Sequence, residues 1–125
     1  MDRTKVLIVD DDERIADLAK IVLDNMFDDE YVYNIKTAVN GEEGYMLSLD
    51  FKPDIVLTDI QMPGKNGIEM VRAIRKHIPS VKTIYKSGEW NKFQTPLQEE
   101  HTMYQASFLK KPFAIAELKQ LLCEA

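Results

Sequence analysis

Five short apolar runs alternate along this chain with segments whose apolar residues recur at helical spacing, and few folds accommodate that rhythm. The first run, KVLIV at residues 5–9, is too short for a helix and rich in β-branched residues, so it reads as a buried strand. The period then changes. Ile15, Leu18, Ala19, Val22, Leu23 and Met26 predict an amphipathic helix with one apolar stripe turned to a core. YVYNIKTAV (31–39) predicts a second strand with Tyr31 and Tyr33 on one face, and NGEEGYMLSL (40–49) a short helix begun at a turn. DIVLTD (54–59) is the third strand, and Ile68, Val71, Ile74 and Ile78 mark a helix ended by Pro79. VKTIYKS (81–87) and SFLKK (107–111) supply the fourth and fifth strands. Between Glu89 and Gln105 the expectation is a loop as far as Thr95, then a helix with Pro96 in its first turn. AIAELKQLLCE (114–124) closes the chain with Ile115, Leu118, Leu121 and Leu122 on one helical face.

This order predicts an α/β fold, a parallel sheet with helices on both faces. The 125 residues can bury a core without staples, and a single domain over 1–125 leaves nothing for a second. A net charge of −5 argues against direct nucleic-acid binding, which rests on lysines and arginines neutralising phosphates. It suits a cation site or a basic protein surface. The single cysteine, Cys123, excludes an internal disulfide and fits a reducing compartment. No apolar run approaches bilayer length, and MDRTKVLIVD lacks a signal-peptide pattern, so a cytoplasmic protein with no membrane partner is expected.

In open parallel sheets, sites form beyond the carboxyl ends of the strands. Asp10, Asp11 and Asp12 follow the first strand, Asp59 ends the third, Ser87-Gly88 the fourth and Lys111-Pro112 the fifth. Carboxylates converging there would repel one another, and a hard divalent cation relieves the repulsion. Oxygen-only donors favour Mg²⁺, with Mn²⁺ the alternative, over zinc. Lys111 offers a cation for phosphoryl oxygens, Ser87 a hydroxyl donor, and Gly88 an unobstructed backbone N–H. Together these groups can support phosphoryl transfer to an aspartate.

Taken singly, each residue has an ordinary structural account. Asp12 is the natural N-cap of the first helix, and Asp10 and Asp11 could be acids favoured at its positive end. Asp59 could be a turn residue and Lys111 a solvated loop lysine. Their joint placement at four strand ends favours the chemical account. Met62-Pro63 and the glycines at 64 and 67 read as backbone devices, proline fixing a turn and glycine admitting positive φ. His77 and His101 show no metal-ligand spacing.

These motifs resemble the response-regulator receiver domain of two-component signalling over the full length of the chain. The family's paired acids match Asp10 and Asp11, and its Asp, Met-Pro and Gly-x-Glu signature matches DIQMPGKNGIE from Asp59 without a gap. Its Ser/Thr matches Ser87, and its Lys-Pro matches Lys111-Pro112 within KKPF. The resemblance implies a flavodoxin-like sheet in the order 2-1-3-4-5. It also implies that Asp59 takes a phosphoryl group from a phosphohistidine on a sensor histidine kinase or histidine phosphotransfer protein. Asp11, Asp59 and the main-chain carbonyl of Gln61 would hold Mg²⁺, with Asp10 acting mainly through water. Lys111 would pair with the phosphoryl group, beside a cis bond to Pro112. Ser87 would move toward it and draw the switch residue Phe108 inward. The fourth helix, fifth strand and fifth helix would then present a changed surface to a downstream effector domain or protein, or to a second copy in a phosphorylation-linked homodimer. Such a domain is a phosphoacceptor and not an enzyme acting on external substrates.

The chain departs from the family pattern at several positions. Phe108 stands where a tyrosine is frequent, so the switch position lacks a hydroxyl. Lys86 occupies a strand position that is usually apolar, and its amine must snorkel or find a partner. Trp90 and the Pro96 segment give an unusual approach to the fourth helix, and Gln61 and Glu89 stand where the family tunes phosphoryl lifetime. A pseudo-receiver working without phosphorylation is the competing interaction-module reading. A Mg²⁺-dependent phosphatase is the competing enzyme reading; such enzymes commonly need an acid where Gln61 stands.

Overall fold

The computed structural model describes residues 4–24, 33–62, 66–87, 106–110 and 117, with side chains at all of these except 19, 22–24, 87 and 108–110. In chain order the elements are β1 (Thr4–Val9), α1 (Glu13–Asp24), β2 (Tyr33–Ala38), α2 (Gly41–Phe51), β3 (Ile55–Asp59), α3 (Gly67–Arg75), β4 (Lys82–Ser87) and β5 (Ala106–Lys110). The five strands form one sheet in the order β2-β1-β3-β4-β5, every adjacent pair parallel. The order doubles back between β1 and β3, so β1 and β3 flank the switch point at the middle of the sheet.

The central strands are covered on both faces, which accounts for their unbroken apolar runs. Leu7, Val9, Val56, Ile60 and Tyr85 point to one face and pack with Met70, Val71 and Ile74 of α3 and Phe51 of α2. Val6, Ile8, Ile55, Leu57 and Ile84 are buried on the other face, where α1 packs against β1 and β2 through Ala16. Asp54 stitches the entry edge: its carboxylate accepts the Lys5 N–H at 2.8 Å and its carbonyl the Lys82 N–H at 3.0 Å.

Helix boundaries follow local chemistry. Asn40 caps α2 by accepting the Glu43 N–H at 2.7 Å, and Lys52 ends that helix in the left-handed region at φ 50°, its N–H bonded to the Ser48 carbonyl. Two expectations change. The regular part of α3 ends at Arg75, and a turn carries the chain on to Pro79, with the Ile78 N–H reaching the Ile74 carbonyl at 2.9 Å and Ile78 packing on the core. In α1 the large residues Ile15, Leu18 and Ile21 are exposed, and small Ala16 seats the helix. Of the expected stripe, Ile15 and Leu18 are turned outward, and the side chains of Ala19, Val22, Leu23 and Met26 lie outside the described residues. The helix expected from Pro96 lies outside the described residues, as does the closing helix apart from Glu117, whose backbone is helical.

Candidate functional site

Asp59 closes β3 and Asp10 directly follows β1, and both side chains are buried. Val9 pairs in register with Thr58, so the next pair along the same two strands is Asp10 beside Asp59. Asp11 is exposed at the rim. One carboxylate oxygen from each of Asp10, Asp11 and Asp59 lies within 4.8 Å of the others. The three expected acids meet at the switch point.

The turn after β1 is built to hold them. The Asp10 N–H donates to the Ala38 carbonyl at 3.0 Å, extending the β1–β2 ladder by one bond. Asp10 Oδ1 accepts the Asp12 N–H at 2.9 Å, a side-chain turn that aspartate forms readily. Asp12 in turn caps α1: its Oδ1 accepts the Arg14 N–H at 3.0 Å, and its carbonyl takes the Ile15 and Ala16 N–H groups. The Arg14 side chain, first among its causes, holds the Asp12 carboxyl below its ordinary range. Asp12 is thus the cap, which leaves Asp10 and Asp11 for the site.

Lys86 is the site's unexpected member. It pairs in register with Asp59, which places Asp10, Asp59 and Lys86 in one row on the α1 face of the sheet. Two strand spacings, roughly 10 Å, separate β4 from β1. The long lysine stem crosses that gap, and Nζ reaches Asp10 Oδ2 at 2.7 Å with the two side chains 2% and 1% exposed. Burial alone would raise the Asp10 pKa. The Lys86 charge and hydrogen bond, the Asp12 N–H and hydrogen bonding with Asp59 outweigh it, and the net direction is down. So the lysine pairs and does not snorkel. Both its register beside Asp59 and its choice of Asp10 as partner emerge only with the assembled sheet.

The segment after Asp59 is clamped to the sheet. The Thr58 hydroxyl donates to the Asp59 carbonyl at 2.8 Å, the Gly67 N–H to the Ile60 carbonyl at 2.8 Å, and the Ile60 N–H to the Lys86 carbonyl at 3.2 Å. Asn66 caps α3 by accepting the Glu69 N–H at 2.9 Å. Gln61, two residues past Asp59, is exposed. Ser87 ends β4 next to Lys86, and Phe108 lies in β5 opposite Tyr85. Their side chains, and Lys111 and Pro112 entirely, lie outside the described residues. The donor set fits a hard divalent cation: carboxylate oxygens only, two of them buried, with Asp10 already committed to Lys86 and Asp12. No helix among the described residues is long and apolar enough to cross a membrane.

Comparison with known proteins identifies the family and the fold. Residues 6–123 match the response regulator receiver domain family. The chain is 31% identical over 118 residues to the probable C4-dicarboxylate response regulator DctR of Bacillus subtilis, covering 94% of this chain and 50% of that protein. It spans about half the length of the curated relatives it matches. Among solved structures, Vibrio cholerae chemotaxis protein CheY4 superposes with a TM-score of 0.82 at 25% identity, covering 98% of each chain. Response regulator TrrA of Thermotoga maritima, solved in complex with Mg²⁺-BeF, superposes with a TM-score of 0.78 at 30% identity and 97% coverage of each chain. With its sheet order, its three converging acids and a family match along nearly its whole length, the chain belongs to the receiver domains of two-component response regulators.

Proposed function

We propose that Asp59 is the phosphoacceptor of this receiver domain and that the acids beside it hold the divalent cation its chemistry needs. The observation that carries this reading is the convergence of Asp10, Asp11 and Asp59 at the switch point, their oxygens within 4.8 Å of one another. An Asp59 carboxylate oxygen attacks the phosphorus of a phosphohistidine; the new P–O bond forms as the P–N bond breaks, and the bonding pair returns to the imidazole nitrogen of the donor. Mg²⁺, when bound, neutralises charge on the phosphoryl oxygens and on the acids. Asp11, Asp59 and the Gln61 carbonyl are its assigned ligands, with Asp10 acting at one remove. The backbone clamps at Asp59 and Ile60 hold the nucleophile at the strand end, so little reorganisation precedes attack.

Lys111 and Ser87 complete the assignment through their matching motif positions, Lys111 pairing with the transferred group and Ser87 donating to it. Phe108 is assigned as the aromatic that follows Ser87, and the surface of the fourth helix, β5 and the fifth helix as what an effector domain or protein reads. The phosphodonor is a sensor histidine kinase or a histidine phosphotransfer protein. The complex of the similar response regulator TrrA with Mg²⁺-BeF supports a divalent cation in this reading.

Intact mass after incubation with a small acyl phosphate and Mg²⁺ tests the reading. One phosphoryl adduct is expected, labile to hydroxylamine and absent from Asp59→Asn and from a chelated sample. Failure of both acyl phosphate and beryllofluoride to modify or bind folded, Mg²⁺-loaded protein would turn the assignment to a receiver that signals without phosphorylation.

A further inference from the structure

We propose that Lys86 is a positioning residue that weakens divalent-cation binding by holding Asp10 as an internal counter-charge. The inference rests on the reading of Asp11 and Asp59 as cation ligands. A receiver site with three free carboxylates offers a divalent ion three negative charges. Here one of the three is spoken for: Asp10 Oδ2 receives the Lys86 ammonium at 2.7 Å, and Asp10 Oδ1 receives the Asp12 N–H at 2.9 Å.

Both members of the pair are almost fully buried, so water screens their field poorly. The ammonium also sits in the row that contains Asp59, on the same face of the sheet. An incoming cation therefore meets three acids with one fixed positive charge among them, two net negative charges where three free acids would offer three. The same contact has a second effect. It ties β4 to the turn after β1 across the intervening β3, and so fixes the acid turn before any cation arrives. The site is held in place by a lysine where a metal alone would otherwise have to hold it.

Replacement of the lysine by an apolar residue of similar length separates these effects. In Lys86→Met, Asp10 is freed, the local repulsion disappears, and Mg²⁺ binding tightens by about tenfold in mildly alkaline buffer. The metal-free Tm falls, and Mg²⁺ raises it by more than it raises the wild-type Tm. In the double variant Asp10→Asn/Lys86→Met the charge of the site is that of the wild type, and Mg²⁺ affinity stays within about threefold of it.

Calorimetric titration of Mg²⁺ into the whole chain and its two variants, with thermal melts with and without Mg²⁺, decides the matter. Lys86→Met that binds Mg²⁺ no more tightly than the wild type overturns the proposal. So does a double variant whose affinity drops by about tenfold, since Asp10 would then be an indispensable ligand and not a held counter-charge. Should Lys86→Met not fold without metal, the double variant alone decides. Absence of Mg²⁺ binding by all three folded proteins would overturn the cation reading itself, and the role of Lys86 with it.

Discussion

Gly67 packs directly against the backbone of Asp59: a Cβ at residue 67 would overlap the Asp59 carbonyl oxygen and lie 3.1 Å from both its carbon and the Thr58 hydroxyl. The first residue of α3 therefore rests on the residue that ends β3, and the Gly67 N–H reaches the neighbouring Ile60 carbonyl. Positive φ is not what Gly67 supplies, as the turn pattern had suggested; it supplies space. Gly67→Ala should push α3 off the strand end, destabilising the protein by about 1–3 kcal/mol, the usual range for overpacking a rigid backbone contact. Urea unfolding reads this directly, and the phosphoryl adduct at Asp59 should form more slowly in the same variant. An unchanged urea midpoint would mean that the helix start yields without cost.

The strands were legible in the sequence because each central one is covered on both faces and so is written as a short, unbroken apolar run. Asp59 was legible for the converse reason: a carboxylate closing such a run calls for a chemical account. Three features needed tertiary information. The orientation of α1 depends on how closely Ala16 lets the helix approach, and the spacing of Ile15 and Leu18 alone points the other way. The closeness of Gly67 to Asp59 depends on where a loop returns. The partner of Lys86 lies two strands away and 76 residues back along the chain, so it became definite only with the sheet order.

Asn40 and Asn66 make the same capping bond at the starts of α2 and α3, but only Asn66 lies on the segment leaving Asp59. Alanine at either position should cost about 1 kcal/mol of stability, since one backbone N–H of the first turn loses its acceptor. The two variants should differ at the site. Asn66→Ala is expected to slow phosphoryl adduct formation, whereas Asn40→Ala should leave it unchanged once both are compared well below their melting temperatures. Equal rates would place the loop after Asp59 outside the determinants of reactivity.

Thr83 is buried in β4, and its hydroxyl finds no hydrogen-bond partner among the described residues. A buried hydroxyl without a partner keeps its desolvation cost, and valine has the same shape without it. Thr83→Val should therefore raise stability by about 1 kcal/mol, against the general trend of core substitutions. Valine also suits a strand covered on both faces. A fall in the urea midpoint would show that the hydroxyl is satisfied in solution, for instance by a buried water.

The Lys86–Asp10 pair should give the metal-free protein a signature in its acid stability. The Asp10 pKa in the fold lies below its ordinary 3.8, so the stabilisation from the pair is complete above that value and is lost as pH falls through the folded-state pKa. Breaking a buried pair by removing one partner costs about 3–5 kcal/mol, enough to dominate the acid limb of a small domain. Lys86→Met should reverse the slope. Burial is the largest influence on Asp10 and acts to raise its carboxyl pKa, so loss of the opposing ammonium should shift that pKa upward. The variant's stability is then greatest with Asp10 protonated, and it declines as pH rises through the elevated pKa. Melting temperatures recorded in chelator should stay level for the wild type from neutral pH down to the ordinary carboxylate range and fall below it, whereas those of Lys86→Met should rise as the pH first drops from neutral. Parallel curves for the two proteins would mean that Asp10 meets its desolvation cost through Asp12 and solvent, and that the lysine is incidental to it.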